Sequence, residues 1–165
     1  MSNNSLNEEL LQLFLNYLEF EKKSSKHTVI SYKNDISQFL NCIGEVTIPE
    51  VTSKDVRYWI SELSKEGIAP KSINRKITAI RSFFYYLQQQ NRLSQNVARK
   101  VHSLKTKKRL PNFVEEEKMN ILLDQNFFSE GFVGLRDKTI IELLYTTGIR
   151  RAELLGKYAL AIFPN

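Results

Sequence analysis

Cysteine is almost missing from this chain: Cys42 is the only one, so an internal disulfide is excluded and no thiolate cluster can hold a metal. Glycine and proline are scarce as well, at 6 and 4 in 165 residues, and apolar residues recur at helical spacing, so the fold class expected is mainly α. No apolar run reaches the length of a membrane span. The opening MSNNSLNEEL lacks the basic-then-apolar layout of a signal peptide. The expected location is therefore cytoplasmic, with no membrane partner. No clustering of ligand residues suggests a metal site, and no cofactor is expected.

The most informative absence is local. From Gly67 to Val114 there is no Asp or Glu, while Lys71, Arg75, Lys76, Arg81, Arg92, Arg99, Lys100, Lys105, Lys107, Lys108 and Arg109 all fall inside. A solvated helix normally mixes signs, gaining i,i+4 pairs and avoiding self-repulsion. Abandoning that mixture favours a phosphate backbone as partner. The net charge of +6 and pI near 9.4 point the same way, though less sharply than the distribution does.

What is present reads as globular: 42% hydrophobic and 25% charged residues, enough for one ordinary core or two small ones. A first helix is predicted over residues 6–22, with Leu10, Phe14, Tyr17 and Leu18 on its apolar face. A polar turn at 23–26 precedes a second helix carrying Thr28, Tyr32, Asp35, Ile36, Phe39 and Leu40. Thr52-Ser53-Lys54-Asp55 has the form of an N-terminal cap. A third helix follows, with Val56, Trp59, Ile60 and Leu63 buried and Gly67 as its stop. Trp59 could stack on a base, but its place in that stripe favours the core.

Pro70 opens the fourth helix, where its missing N–H costs nothing. Ile73, Ile77, Ile80, Phe83, Phe84 and Leu87 fall on one side; Lys71, Asn74, Arg75, Thr78 and Arg81 fall largely on the other. A basic helix of this kind fits a major groove, where arginine can read guanine and asparagine adenine, with most contacts still going to phosphate. A short segment and a basic linker follow, containing Lys105, Lys107, Lys108 and Arg109. Three acids then open a further helix from residue 115, where the helix dipole favours them. Phe127, Phe128 and Phe132 lie in a loop and could either pack under the next helix or form a partner surface. The apolar pattern of residues 135–145 runs into Thr146, Thr147 and Gly148, with Arg150 directly after that stop. Its planar fork suits a phosphate held in fixed geometry; a helix-capping arginine, or one meeting a surface carboxylate, is the alternative.

Several stretches resemble one family. Arg136-Asp137, the aliphatic run, Tyr145, Thr146-Thr147-Gly148-Ile149-Arg150 and Ala152-Glu153-Leu154 are similar to the first catalytic box of the tyrosine recombinases, of the Xer and phage-integrase branch. Ser25, Thr28, Tyr32, Asp35 and Phe39 match the start of that family's SAM-like core-binding domain. APKSINRKITAIRSFFYYL resembles its last core-binding helix, and the arginine–leucine–proline ending of the linker also fits. The resemblance implies a four-helix SAM-like core-binding bundle over residues 1–92, a basic linker over 93–112, and over 113–165 the incomplete helical start of a catalytic domain. It implies double-stranded DNA as partner, with Lys26, Thr28 and Tyr32 joining the fourth-helix and linker residues as DNA contacts.

By the same resemblance Arg150 would hold the scissile phosphate and Glu153 would support that site. The family's chemistry is strand exchange by transesterification: a tyrosine oxygen attacks phosphorus, the covalent link conserves the phosphodiester energy, and neither ATP nor a metal is needed. Family members run to about twice this length, and their hairpin lysine, histidine–x–x–arginine box and nucleophilic tyrosine have no counterpart here. His27 and His102 precede Arg150, and Tyr158 follows it too closely. The ending from Gly156 also departs from the family, as a shifted or prematurely ended reading frame would, or a piece of a longer protein. The expectation is a DNA-binding, catalytically incomplete portion of a recombinase; the competing one is a non-enzymatic module that occupies sites or meets an intact recombinase.

Overall fold

The computed structural model describes residues 3–106, 112–124 and 127–162, and no strand occurs among them. The chain divides into two units, Met1–Lys108 and Arg109–Asn165. In the first, α1 (Asn3–Asn16) continues through a single π-helical turn, Tyr17–Glu21, and α2 spans Lys26–Ile43. A short 3-10 turn at Ile48–Glu50 precedes α3 (Ser53–Lys65) and α4 (Pro70–Gln89), and a second follows at Val97–Lys100. The widened turn was not foreseen: the first helix was expected to run evenly to residue 22, and instead Lys22 N–H reaches back to the Tyr17 carbonyl.

Helix α4 is the element the others pack around, touching α1, α2, α3 and the Val97–Lys100 turn. Its apolar side, Ile73, Ile77, Ala79, Ile80, Phe83, Phe84 and Leu87, is wholly buried. Full burial of each large side chain contributes about 1.5–3 kcal/mol. Phe14 from α1 meets Phe83 at 5.3 Å between ring centroids, and Phe39 from α2 meets Trp59 edge-on at 5.3 Å. Trp59, 2% exposed, is thus a core residue. The cap foreseen for α3 is present. Thr52 N–H and Oγ both donate to Asp55 Oδ2, at 2.8 and 2.7 Å, and Lys54 N–H donates to Thr52 Oγ.

The core does not stop at the end of α4. Ala98 and Val101 are buried in it, and Leu93, Val97 and Leu104 pack against it. Residues 93–104, the first part of the expected linker, therefore lie folded along the bundle as a strap.

The second unit contains α5 (Glu116–Asp124), α6 (Phe132–Thr147) and α7 (Arg151–Ile162). Of its described hydrophobic side chains only Met119 and Leu154 are buried, while Ile121, Phe132, Val133, Leu135 and Leu155 are exposed. Gly148 ends α6 in the left-handed conformation, φ 63 and ψ 15, and its N–H caps the Leu144 carbonyl. Among the described residues no helix is long and apolar enough to cross a membrane.

Candidate nucleic-acid interface

Helical rotation places Lys71, Arg75, Thr78 and Ser82 on one face of α4. Lys71, Arg75 and Thr78 are exposed there, with Thr78 Oγ turned back onto the Asn74 carbonyl at 2.9 Å. The face is bounded on one side by α2 and on the other by the strap.

On the α2 side, Arg75 does not extend freely. Its two terminal nitrogens donate to the carboxylate of Asp35, Nη2 to Oδ1 at 3.0 Å and Nη1 to Oδ2. Lys76 Nζ joins the same carboxylate at 3.0 Å and donates to Gln38 Oε1 at 2.6 Å.

On the strap side, Asn74 and Arg81 face the chain itself. Asn74 Nδ2 donates to the Leu104 carbonyl at 2.9 Å, and Leu104 N–H returns a bond to Asn74 Oδ1 at 2.7 Å. Arg81 donates to the carbonyls of Ala98 and Val101 and to Ser103 Oγ. Asn96 Nδ2 bonds the Arg81 carbonyl at 3.0 Å. An arginine and an asparagine expected to face outward are thus half-buried clamps in the free chain. Lys105, one residue past the clamp, is exposed; Lys107, Lys108 and Arg109 lie outside the described residues.

At the start of α2, Ser25 caps the helix by accepting from Thr28 N–H at 3.2 Å, and the two hydroxyls share a bond at 2.9 Å. Lys26 is exposed beside them. Tyr32 is half-buried with its ring stacked on Phe14 at 6.3 Å, so packing occupies one of its faces.

Neither the buried carboxylate of Asp35 nor Arg57 of α3 figured among the residues expected to form a site. Arg57, Lys100 and His102 line a groove of about 490 Å³ floored by Ile60, Val101 and Leu104. The spacing of Leu93, Val97, Val101 and Leu104 was the available signal that this segment returns to the core.

Arg150 sits between α6 and α7, where the sequence put it, but little grips its side chain. Its N–H donates to Glu153 Oε2 at 2.9 Å, and Nη1 meets Glu153 Oε1 at 3.3 Å, with the guanidinium side chain 83% exposed. Glu153 at the third position of α7 is therefore the helix's N-terminal cap partner as well as the ion-pair partner. Among the described residues no His, Cys, Asp and Glu group could hold a metal ion.

Residues 11–91 match the family described as phage integrase, N-terminal SAM-like domain. The chain is 36% identical over 151 residues to the tyrosine recombinase XerC of Listeria innocua, covering 90% of this chain and 50% of that protein. It is 38% identical over 151 residues to the tyrosine recombinase XerD of Chlorobaculum tepidum, covering 88% and 49%. To XerC of Bacillus subtilis it is 32% identical over 146 residues, covering 87% and 48%. It spans about half the length of these curated relatives. A helical bundle built around a basic α4, matched over residues 11–91 to that domain and over about 90% of the chain to Xer relatives, means that the chain belongs to the tyrosine recombinase family of phage-integrase type.

Proposed function

We propose that this chain binds duplex DNA through the exposed face of α4 and the strap beside it, as the DNA-binding portion of a site-specific recombinase. The observation that carries this reading is the acid-free stretch from Gly67 to Val114, folded so that Lys71, Arg75 and Thr78 share one exposed helix face and Lys105 emerges from the strap. Lysines and arginines displace counterions from phosphate, which supplies most of the non-specific affinity for DNA; on this face Asp35 of α2 engages Arg75 and Lys76, which leaves Lys71 and Lys105 as its exposed lysines. The proposed place of action is the cytoplasm.

Strand cleavage by this chain alone is not part of the proposal. Arg150 and Glu153 would be its contribution to a phosphate site, one arginine and one acid, with no nucleophile assigned. The test is duplex binding across a salt series. Lys71→Ala and Lys105→Ala should each reduce the slope of log K against log salt by about 0.9, the value for one phosphate contact. Absence of binding at low salt, or slopes unchanged in both variants, would end this reading.

The uncovered apolar side chains of α5 and α6, Ile121, Phe132 and Leu135, favour a second reading, a regulatory module that also meets an intact recombinase. Added to a relative's strand-exchange reaction, such a module would slow it even when DNA sites are in excess. Simple competition for DNA would vanish under those conditions.

A further inference from the structure

Helix α2 carries one acid inside its apolar stripe. Asp35 stands between Tyr32 and Phe39, next to Ile36, and its side chain is 2% exposed. A buried carboxylate needs a cation and filled lone pairs. Lys76, 12% exposed and bonded to both Asp35 and Gln38, supplies the compensating charge. Arg75 brings a second cation to the same carboxylate, and its side chain stays 49% exposed. Its charge is in surplus for neutralisation, so the contact has another consequence: it fixes the direction of the guanidinium.

A guanidinium has five N–H donors in a rigid plane. Asp35 takes one from each terminal nitrogen, which leaves the edge formed by Nε and its neighbouring Nη with a pair of donors. Arg75 lies in the exposed face of α4 one turn after Lys71 and one turn before Thr78. We infer that Asp35 is a positioning residue: by gripping one edge of the Arg75 guanidinium it aims the other edge outward, set to take O6 and N7 of one guanine in a major groove. This rests on the DNA-binding reading above. Phosphate can be met from many directions by a mobile point charge such as Lys71; a locked planar edge matters where direction is read, as at a base edge.

The test is selection by the full chain from a randomised duplex library, followed by titration of the enriched duplex and of versions with single base pairs exchanged. The wild type should enrich a site with one G·C pair whose exchange weakens binding by about tenfold, the loss typical of one bidentate arginine–guanine contact. Arg75→Lys should lose that preference while still binding duplexes. Asp35→Asn and Asp35→Glu should lose it too, the second without any change of charge. Circular dichroism separates misfolding from misaiming; if neither Asp35 variant folds, Arg75→Lys decides alone.

Retention of the preference in the folded Asp35 variants, or in Arg75→Lys, overturns the inference. So does a uniform loss across all duplexes with the salt slope reduced by about 0.9, which would make Arg75 a phosphate contact. A wild type that binds DNA without preferring any sequence overturns this inference alone. A wild type that binds no duplex overturns the DNA-binding reading as well.

Discussion

The carboxamide of Asn74 and the backbone of Leu104 exchange two hydrogen bonds, at 2.9 and 2.7 Å, across 30 residues of chain. Asn7 does the same deeper in the bundle, bonding the Val46 carbonyl and the Ile48 N–H, each at 2.9 Å. In both cases an asparagine meets a segment outside the α-helices as a neighbouring strand would, satisfying backbone groups that burial would otherwise leave open.

Asn74→Ala removes both bonds from a half-buried site. At about 0.5–1.5 kcal/mol per bond, unfolding of the first unit should become easier by about 1–3 kcal/mol. Hydrogen exchange should lose protection at the Leu104 amide before it does so in α4. Unchanged exchange at Leu104 would mean that packing of Val101 and Leu104 holds the strap without the clamp.

Arg81→Lys tests grip against charge. A lysine keeps the positive charge but cannot span Ala98, Val101 and Ser103 as the fork does. Exchange across residues 98–103 should quicken, while the salt slope of duplex binding stays that of the wild type. A slope reduced by about 0.9 instead would identify Arg81 as a phosphate contact that leaves the strap on binding.

The sequence was legible where periodicity and burial coincide. Trp59, Ile73 and Phe83 lie where their stripes put them, and Thr52 and Asp55 cap as their spacing requires. It was less legible where the chain covers its own polar face. Periodicity separates the polar side of α4 from the apolar side, but it does not say whether water, DNA or a returning segment meets Asn74 and Arg81. Asp35 held a readable clue: an acid at an apolar stripe position requires a cation from a facing helix, and Arg75 and Lys76 were there to provide it.

The cap of α3 should make stability pH-dependent. The Thr52 hydroxyl, and after it the Thr52 N–H, hold the Asp55 carboxyl below its ordinary 3.8. Its folded value being depressed, the folded state binds fewer protons. The contribution is therefore complete above the unfolded value and disappears as pH falls through the folded one. Thr52→Ala should cost about 1 kcal/mol at neutral pH, and the gap between wild type and Asp55→Asn should close below about pH 4. A gap that persists in acid would show that the cap works without the ionised carboxylate.

Exchange should also differ between the units. Among the described hydrophobic side chains of the second only Met119 and Leu154 are buried, and local stability follows the burial of apolar contacts. Amides of α5 and α6 should exchange at least about tenfold faster than those of α4, and Leu135→Ser should change unfolding by less than about 0.5 kcal/mol, as exposed sites do. Equal protection in both units would require contacts that the described residues do not make.

Arg150 combines a well-defined backbone with a loosely held side chain, and the two can be separated. An exposed ion pair such as Arg150–Glu153 contributes about 0–1 kcal/mol, so Arg150→Ala should scarcely alter helix content. Gly148, at φ 63, sets the turn that delivers Arg150; Gly148→Ala forces a side chain into the left-handed region at a cost of about 1–2 kcal/mol and should loosen the end of α6. If Arg150 meets phosphate in the bound state, Arg150→Ala should lower the salt slope of duplex binding by about 0.9 without affecting the fold. A wild-type slope in Arg150→Ala would leave the residue as the helix-junction arginine that its contact with Glu153 makes it in the free chain.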